Sequence, residues 1–167
     1  MAEMENTYSE VAEAFINDAD WSTAVPGLKL GVETNTSMPK VGVLLVGGLY
    51  GSQPVGREVL VRLARHMGEG YKRDDNIVTM ILRRADIYIL PSVDMAGFDT
   101  AKVGTCSYKN HHVMDKEAGN SFKDNQKVGA EAVKKFMGRF NIKLALSLEG
   151  NGMFVRMHRV HAGLCLR

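Results

Sequence analysis

The side chains able to hold a metal or move a proton are few and lie far apart along the chain. There are five histidines and two cysteines. His111 and His112 are neighbours in a polar stretch, so their rings diverge. His158 and His161, with Cys165 after them, have a spacing that would share one face of a helix. Zinc takes at least three fixed ligands and nothing nearby completes that set, so solvent-facing histidines are the expected state. His66 falls at the close of a predicted helix, where a cation meets the negative end of the dipole. Neither Cys106 nor Cys165 has a histidine partner recognisable in the sequence, and no Gly-x-Ser-x-Gly elbow is present. The two cysteines permit at most one disulfide.

Two other patterns suggest chemistry. Gly51 to Gly56 has the spacing of a phosphate-binding loop, after a strand and before a helix. The working residues are missing: Arg57 and Glu58 stand where Lys and a hydroxyl residue belong, and Pro54 lacks an amide that such a cradle needs. Glu58 would also set negative charge against a phosphate. Asp94 and Glu149 each follow a predicted strand and would face each other as a carboxylate pair if the strands are neighbours. Capping of turns or helix starts is the favoured role for both. Residue types alone reveal no active site.

The elements that must position these residues are clearer. Val11, Ala12, Phe15, Ile16 and Ala19 have the spacing of one apolar helical stripe, which predicts a helix over 8–19. A short strand is expected at 28–32. Residues 40–46 are a continuous aliphatic run ended by Gly47 and Gly48, the pattern of a strand buried on both faces. A helix over 55–67, a strand over 85–90, a polar irregular stretch over 94–124, a helix over 127–140 and a strand over 144–148 follow. Strands alternating with helices predict an α/β fold with a mixed, mostly parallel sheet flanked by helices. In such sheets, sites gather just past the carboxyl ends of the strands. The loops at 47–54, 91–98 and 149–152 are therefore expected to converge.

Composition limits the alternatives. At 167 residues, with 45% hydrophobic and 24% charged residues, the chain suits one globular domain. The net charge is +2 and the 21 basic residues are dispersed, so no nucleic-acid surface is expected. No apolar run is long enough to span a bilayer. The acidic start of the chain does not read as a secretory signal.

The order of segments resembles the zinc metallocarboxypeptidases. Val43-Leu-Leu-Val-Gly-Gly-Leu-Tyr-Gly-Ser-Gln-Pro-Val-Gly-Arg-Glu58 is similar to that family's metal-binding signature, a buried strand followed by Gly-Asn-Met-His-Gly-Asn-Glu-x-Val-Gly-Arg-Glu. Ile89-Leu-Pro-Ser-Val-Asp-Met-Ala-Gly-Phe98 resembles Met-Pro-Ser-Met-Asn-Pro-Asp-Gly-Tyr, and Leu144-Ala-Leu-Ser-Leu-Glu-Gly150 lies where the family has Leu-Ser-Ala-Asn-Leu-His-Gly-Gly. The opening Tyr8-Ser-Glu-Val suits the carboxypeptidase D, E and N branch, and in style the chain is most similar to the inactive domain of carboxypeptidase D. The likeness covers about 8–155, with a divergent tail over 156–167. It implies one partial carboxypeptidase-like domain whose C-terminal part, with the general-base glutamate, is missing.

Carried over residue by residue, the resemblance implies that the metal ligands are lost. The first zinc histidine falls on Tyr50, the glutamate ligand on Gln53 and the second histidine on Glu149. Such a site needs two neutral imidazoles and a carboxylate, with one position open for water. A phenol is protonated at neutral pH and an amide carries no charge. The Asn-Arg pair that grips a peptide carboxylate in the family falls on Gly119 and Asn120, so its bidentate contact is gone. Lys109 stands near the position of the oxyanion-stabilising arginine. The expectation is a pseudoenzyme with no catalytic residues and no zinc. It would bind a peptide or protein C-terminus, or scaffold a multi-domain carboxypeptidase. The alternative is an active zinc carboxypeptidase that removes basic C-terminal residues. Members of this family mostly belong to the secretory pathway or the exterior.

Overall fold

A computed structural model describes residues 1–17, 25–34, 39–49, 54–100, 127–148 and 156–159. The elements run α1 (Ala2–Thr7), β1 (Ala12–Asn17), β2 (Val25–Leu30), β3 (Val41–Gly47), α2 (Pro54–Lys72), α3 (Asn76–Arg84), β4 (Ala85–Leu90), α4 (Met95–Thr100), α5 (Lys127–Arg139), β5 (Ile142–Leu148) and β6 (Arg156–Arg159). They build a six-stranded sheet in the order β1-β2-β4-β3-β5-β6. The central trio β4-β3-β5 is parallel, and the pairings outside it are antiparallel. The sheet is mixed and flanked by helices, as expected.

The aliphatic run of β3 is explained by burial on both faces. Leu45 joins Leu28, Leu30, Ile87 and Ile89 under Leu60, Ala64 and Met67 of α2 and Val78 and Leu82 of α3. Leu44 and Val46 point the other way, with Val25, Tyr88 and Leu90, against Phe136 of α5. Alternation along the parallel strands thus feeds two cores, one on each side of the sheet. The second is aromatic at its centre. The ring of Phe15 stacks on Phe136 at 5.3 Å, and Tyr88 meets Phe136 edge-on at 5.2 Å. At the amino ends of the parallel strands, Lys40 Nζ donates to Asp86 Oδ1 at 2.5 Å and to the Val32 carbonyl at 3.0 Å.

Three expectations need correction. Within the stretch over 8–19, Ala12–Asn17 form a strand, β1, a short helix precedes it, and residues 18 and 19 lie outside the described residues. Ala12 pairs with Leu30 and Phe15 with Gly27. A strand here satisfies backbone groups of β2 and brings the Phe15 ring to α5, contacts that outweigh a modest local helical pattern. Second, α2 continues to Lys72 and α3 follows it, so His66 lies inside a helix rather than at its end. His66 is exposed and its charge acts on Asp75 instead. Third, His158 lies in β6, in register with Ala145 of β5, which removes the helical face it would share with His161. His161 and Cys165 lie outside the described residues.

Candidate functional site

The chain leaves β3 for α2 and α3 on one face, enters β4, and reaches β5 on the other side of β3 by way of α5 on the opposite face. The carboxyl end of β3 is therefore where the strand order reverses, the place at which open α/β sheets form a crevice. All three loops expected to carry chemistry start at this end of the sheet, after Gly47, Leu90 and Leu148.

Glycines set the spacing there. A Cβ on Gly47 would lie 2.9 Å from the Pro91 carbonyl oxygen and 3.0 Å from Leu60 Cδ1. Gly48 has φ +56°, a left-handed conformation that an L side chain resists, and a Cβ on it would meet Ser92 Cα at 3.1 Å. The loops after β3 and β4 are then tied backbone to backbone. Val93 N–H donates to the Gly47 carbonyl at 3.3 Å and Asp94 N–H to the Gly48 carbonyl at 2.9 Å. Pairing begun in the parallel strands thus continues past their ends, and the buried Ser92 lies under Gly48.

Helix α2 closes the other side. Gly56 lies so near β5 that an added methyl would collide with the Leu148 carbonyl oxygen. In the phosphate-loop pattern of the sequence, this glycine would face an anion; here it is taken up by packing on a strand. The Arg57 guanidinium stacks 3.9 Å from the centroid of the Phe98 ring, linking the first turn of α2 to α4. Such a contact contributes on the order of 0.5–1 kcal/mol at a partly exposed site. It joins two of the segments that carried the family resemblance. Neither residue was singled out for this role, and the only signal was that the two segments flank one crevice.

The expected site residues divide as follows. Asp94 stands at the start of α4, where its backbone carbonyl accepts from Phe98 N–H at 3.1 Å. Glu58 is exposed on α2. Tyr50 and Gln53 fall between Leu49 and Pro54, and Glu149 directly follows Leu148. These three, with Lys109, Gly119, Asn120, His111 and His112, lie outside the described residues. Their flanks are described, and Gly56 on Leu148 brings the start of α2 against the end of β5. Among the described residues, no three His, Cys, Asp or Glu side chains come together as a metal site.

Comparison with known proteins gives the same fold and a family. The zinc carboxypeptidase family model matches residues 22–141. Carboxypeptidase D of Mus musculus is 34% identical over 119 residues, which is 71% of this chain and 8% of that protein. Carboxypeptidase D of Drosophila melanogaster is 36% identical over 93 residues, 54% of this chain and 7% of the fly protein. Among solved structures, thrombin activatable fibrinolysis inhibitor superposes with a TM-score of 0.66 at 14% identity, covering 87% of this chain and 44% of that one. A metallo-carboxypeptidase from Burkholderia cenocepacia has the same TM-score and identity, with 90% of this chain and 40% of the other covered. This chain thus spans less than half of those solved chains and a small part of the D-type proteins. With this match over most of its length and a sheet like that of the solved carboxypeptidases, the chain belongs to the zinc carboxypeptidase family, in its carboxypeptidase D-like branch.

Proposed function

We propose that this chain is a carboxypeptidase-fold domain without peptidase chemistry, serving as a peptide- or protein-binding or scaffolding unit. The observation that carries the proposal is the donor set at the three positions that the sequence resemblance matches to the family's metal ligands: Tyr50, Gln53 and Glu149. One carboxylate, one neutral amide and one phenol do not fit a zinc site that needs two imidazoles and a carboxylate. Gly119 and Asn120, in place of an Asn-Arg pair, also remove the bidentate grip on a peptide carboxylate. What supports a retained binding role is the intact frame. The Gly47–Val93 and Gly48–Asp94 backbone bonds and the Arg57–Phe98 stack join the segments at the mouth of the crevice. A peptide or protein C-terminus is the partner such a frame would take, and the much longer D-type relatives suggest a setting beside further domains.

Metal content tests the proposal. The full chain and a Tyr50→His, Gln53→Glu, Glu149→His variant are equilibrated with zinc, desalted and measured by inductively coupled plasma mass spectrometry. The expected result is a wild type without stoichiometric zinc and a variant that retains one equivalent. One tightly held zinc in the wild type, with release of C-terminal residues from a test peptide, would overturn the proposal and favour an active carboxypeptidase.

A further inference from the structure

An edge strand presents a row of backbone donors and acceptors to any other strand, and folded proteins cover such edges. Among the described residues, β1 pairs with β2 alone and forms one edge of the sheet. Alternation decides which of its backbone groups point outward. The Val11 carbonyl accepts from Gly31 N–H at 2.9 Å, so Val11 faces β2, and Glu13 and Phe15 follow it at a period of two. Ala12, Ala14 and Ile16 therefore turn their backbone groups away from the sheet.

Two of these outward donors are met by the segment that precedes the strand. Ala12 N–H donates to the Tyr8 carbonyl at 2.9 Å, closing the turn into β1. Ala14 N–H donates to a side chain, Glu5 Oε1 of α1, at 3.1 Å. With six residues and no side-chain cap, α1 has little stability of its own. Its place is set by Met4, buried in the core that α2 covers, and by Tyr8, which packs on Gly68 with Lys72 Nζ 5.1 Å from its ring centroid. The Glu5 carboxylate thus stands where the carbonyl of a further strand would accept from Ala14. A charged acceptor makes a stronger bond than the neutral carbonyl that would have to displace it. We propose that α1 is a strap over the β1 edge, latched by Glu5 on the Ala14 amide, and that it keeps this edge from pairing with the same edge of a second copy.

Amide hydrogen exchange, followed by nuclear magnetic resonance on the full chain, tests the latch. Glu5→Ala is expected to speed exchange at Ala14 about tenfold, while Glu13 and Phe15, which face β2, keep their rates. Glu5→Gln retains an accepting oxygen and is expected to restore most of the protection. Unchanged exchange at Ala14, or equal acceleration at all three amides, would overturn the latch. Sedimentation velocity tests the strap. Chains carrying Met4→Ala and Glu5→Ala are expected to form larger species than the wild type at the same concentration. Adding Ile16→Lys sets a charge on the edge at a residue that is already 53% exposed, and is expected to reverse that gain. Should Met4→Ala unfold the chain, as judged by far-UV circular dichroism, Glu5→Ala alone carries both readouts. Association no greater than that of the wild type, or association that Ile16→Lys leaves intact, overturns the proposal.

Discussion

Gly56 and Gly138 both lie in helices, yet an added methyl group would act oppositely at the two. At Gly138 of α5 nothing stands within 4 Å of a Cβ, so Gly138→Ala gains only from reduced freedom of the unfolded chain. A stabilisation of about 0.5 kcal/mol is expected there. At Gly56 the methyl would drive into the Leu148 carbonyl, which is strand backbone and cannot rotate aside. The helix-propensity gain of about 1 kcal/mol is then outweighed by strain, for a net loss of about 1–3 kcal/mol. Urea denaturation of the two variants should show midpoints displaced in opposite directions. A rise in both would mean that α2 sits less tightly on β5 than the geometry here requires. The outcome bears on function, since the packing of Gly56 on β5 is what brings the flanks of Gln53 and Glu149 to the same end of the sheet.

At the scale of elements, α3 depends on its cap. Asp75 accepts from Val78 N–H at 3.0 Å and from Ile77 N–H at 2.9 Å, satisfying two donors that the first turn leaves open. The Val78 hydrogen bond is the main reason that the Asp75 carboxyl is held below the ordinary aspartate value of 3.8, with Ile77, His66 and Arg73 acting in the same direction and partial desolvation against it. A depressed acid stabilises the fold in its ionised form. That contribution is complete above the unfolded value and is lost as pH falls through 3.8 and below. Asp75→Asn retains a capping oxygen without the charge, and its melting temperature should converge on that of the wild type as pH is lowered from 6 toward about 2. A constant gap across that range would show that the charge contributes nothing. The cap is readable in the sequence, as an aspartate before an apolar helical spacing with two arginines closing it, but no element is assigned from sequence between residue 67 and the strand at 85. By contrast β3, β4, β5, α2 and α5 were legible because their apolar patterns are dictated by burial on one or both faces. β1 was not, because its strand state comes from pairing with β2 and from the Phe15–Phe136 stack, the second of which joins residues far apart in sequence. The crevice itself was legible from strand ends alone. The Arg57–Phe98 contact was not, since it needs the relative placement of two helices.

For the whole molecule, the question is whether two cores on opposite faces of one sheet behave as one. The core under α2 and α3 and the core under α5 share no side chains, but both are built on β3, β4 and β2. Leu45 and Leu44 are adjacent residues committed to different sides, as are Tyr88 and Ile89. Loss of one core therefore strips one face from strands that the other core also needs, and a half-covered parallel trio is unfavourable in water. Coupling through shared strands predicts a single cooperative transition. Leu82→Ala, on the α3 side, should cost about 2–5 kcal/mol, and Phe136→Ala, at the centre of the aromatic core, about 3–5 kcal/mol. Each should displace the same transition, with far-UV and near-UV circular dichroism superimposed in urea. If Phe136→Ala instead separates the two signals, α5 and its aromatic cluster form an independent unit. The carboxyl end of β5 would then be secured by the α2 side alone, through Gly56 on Leu148.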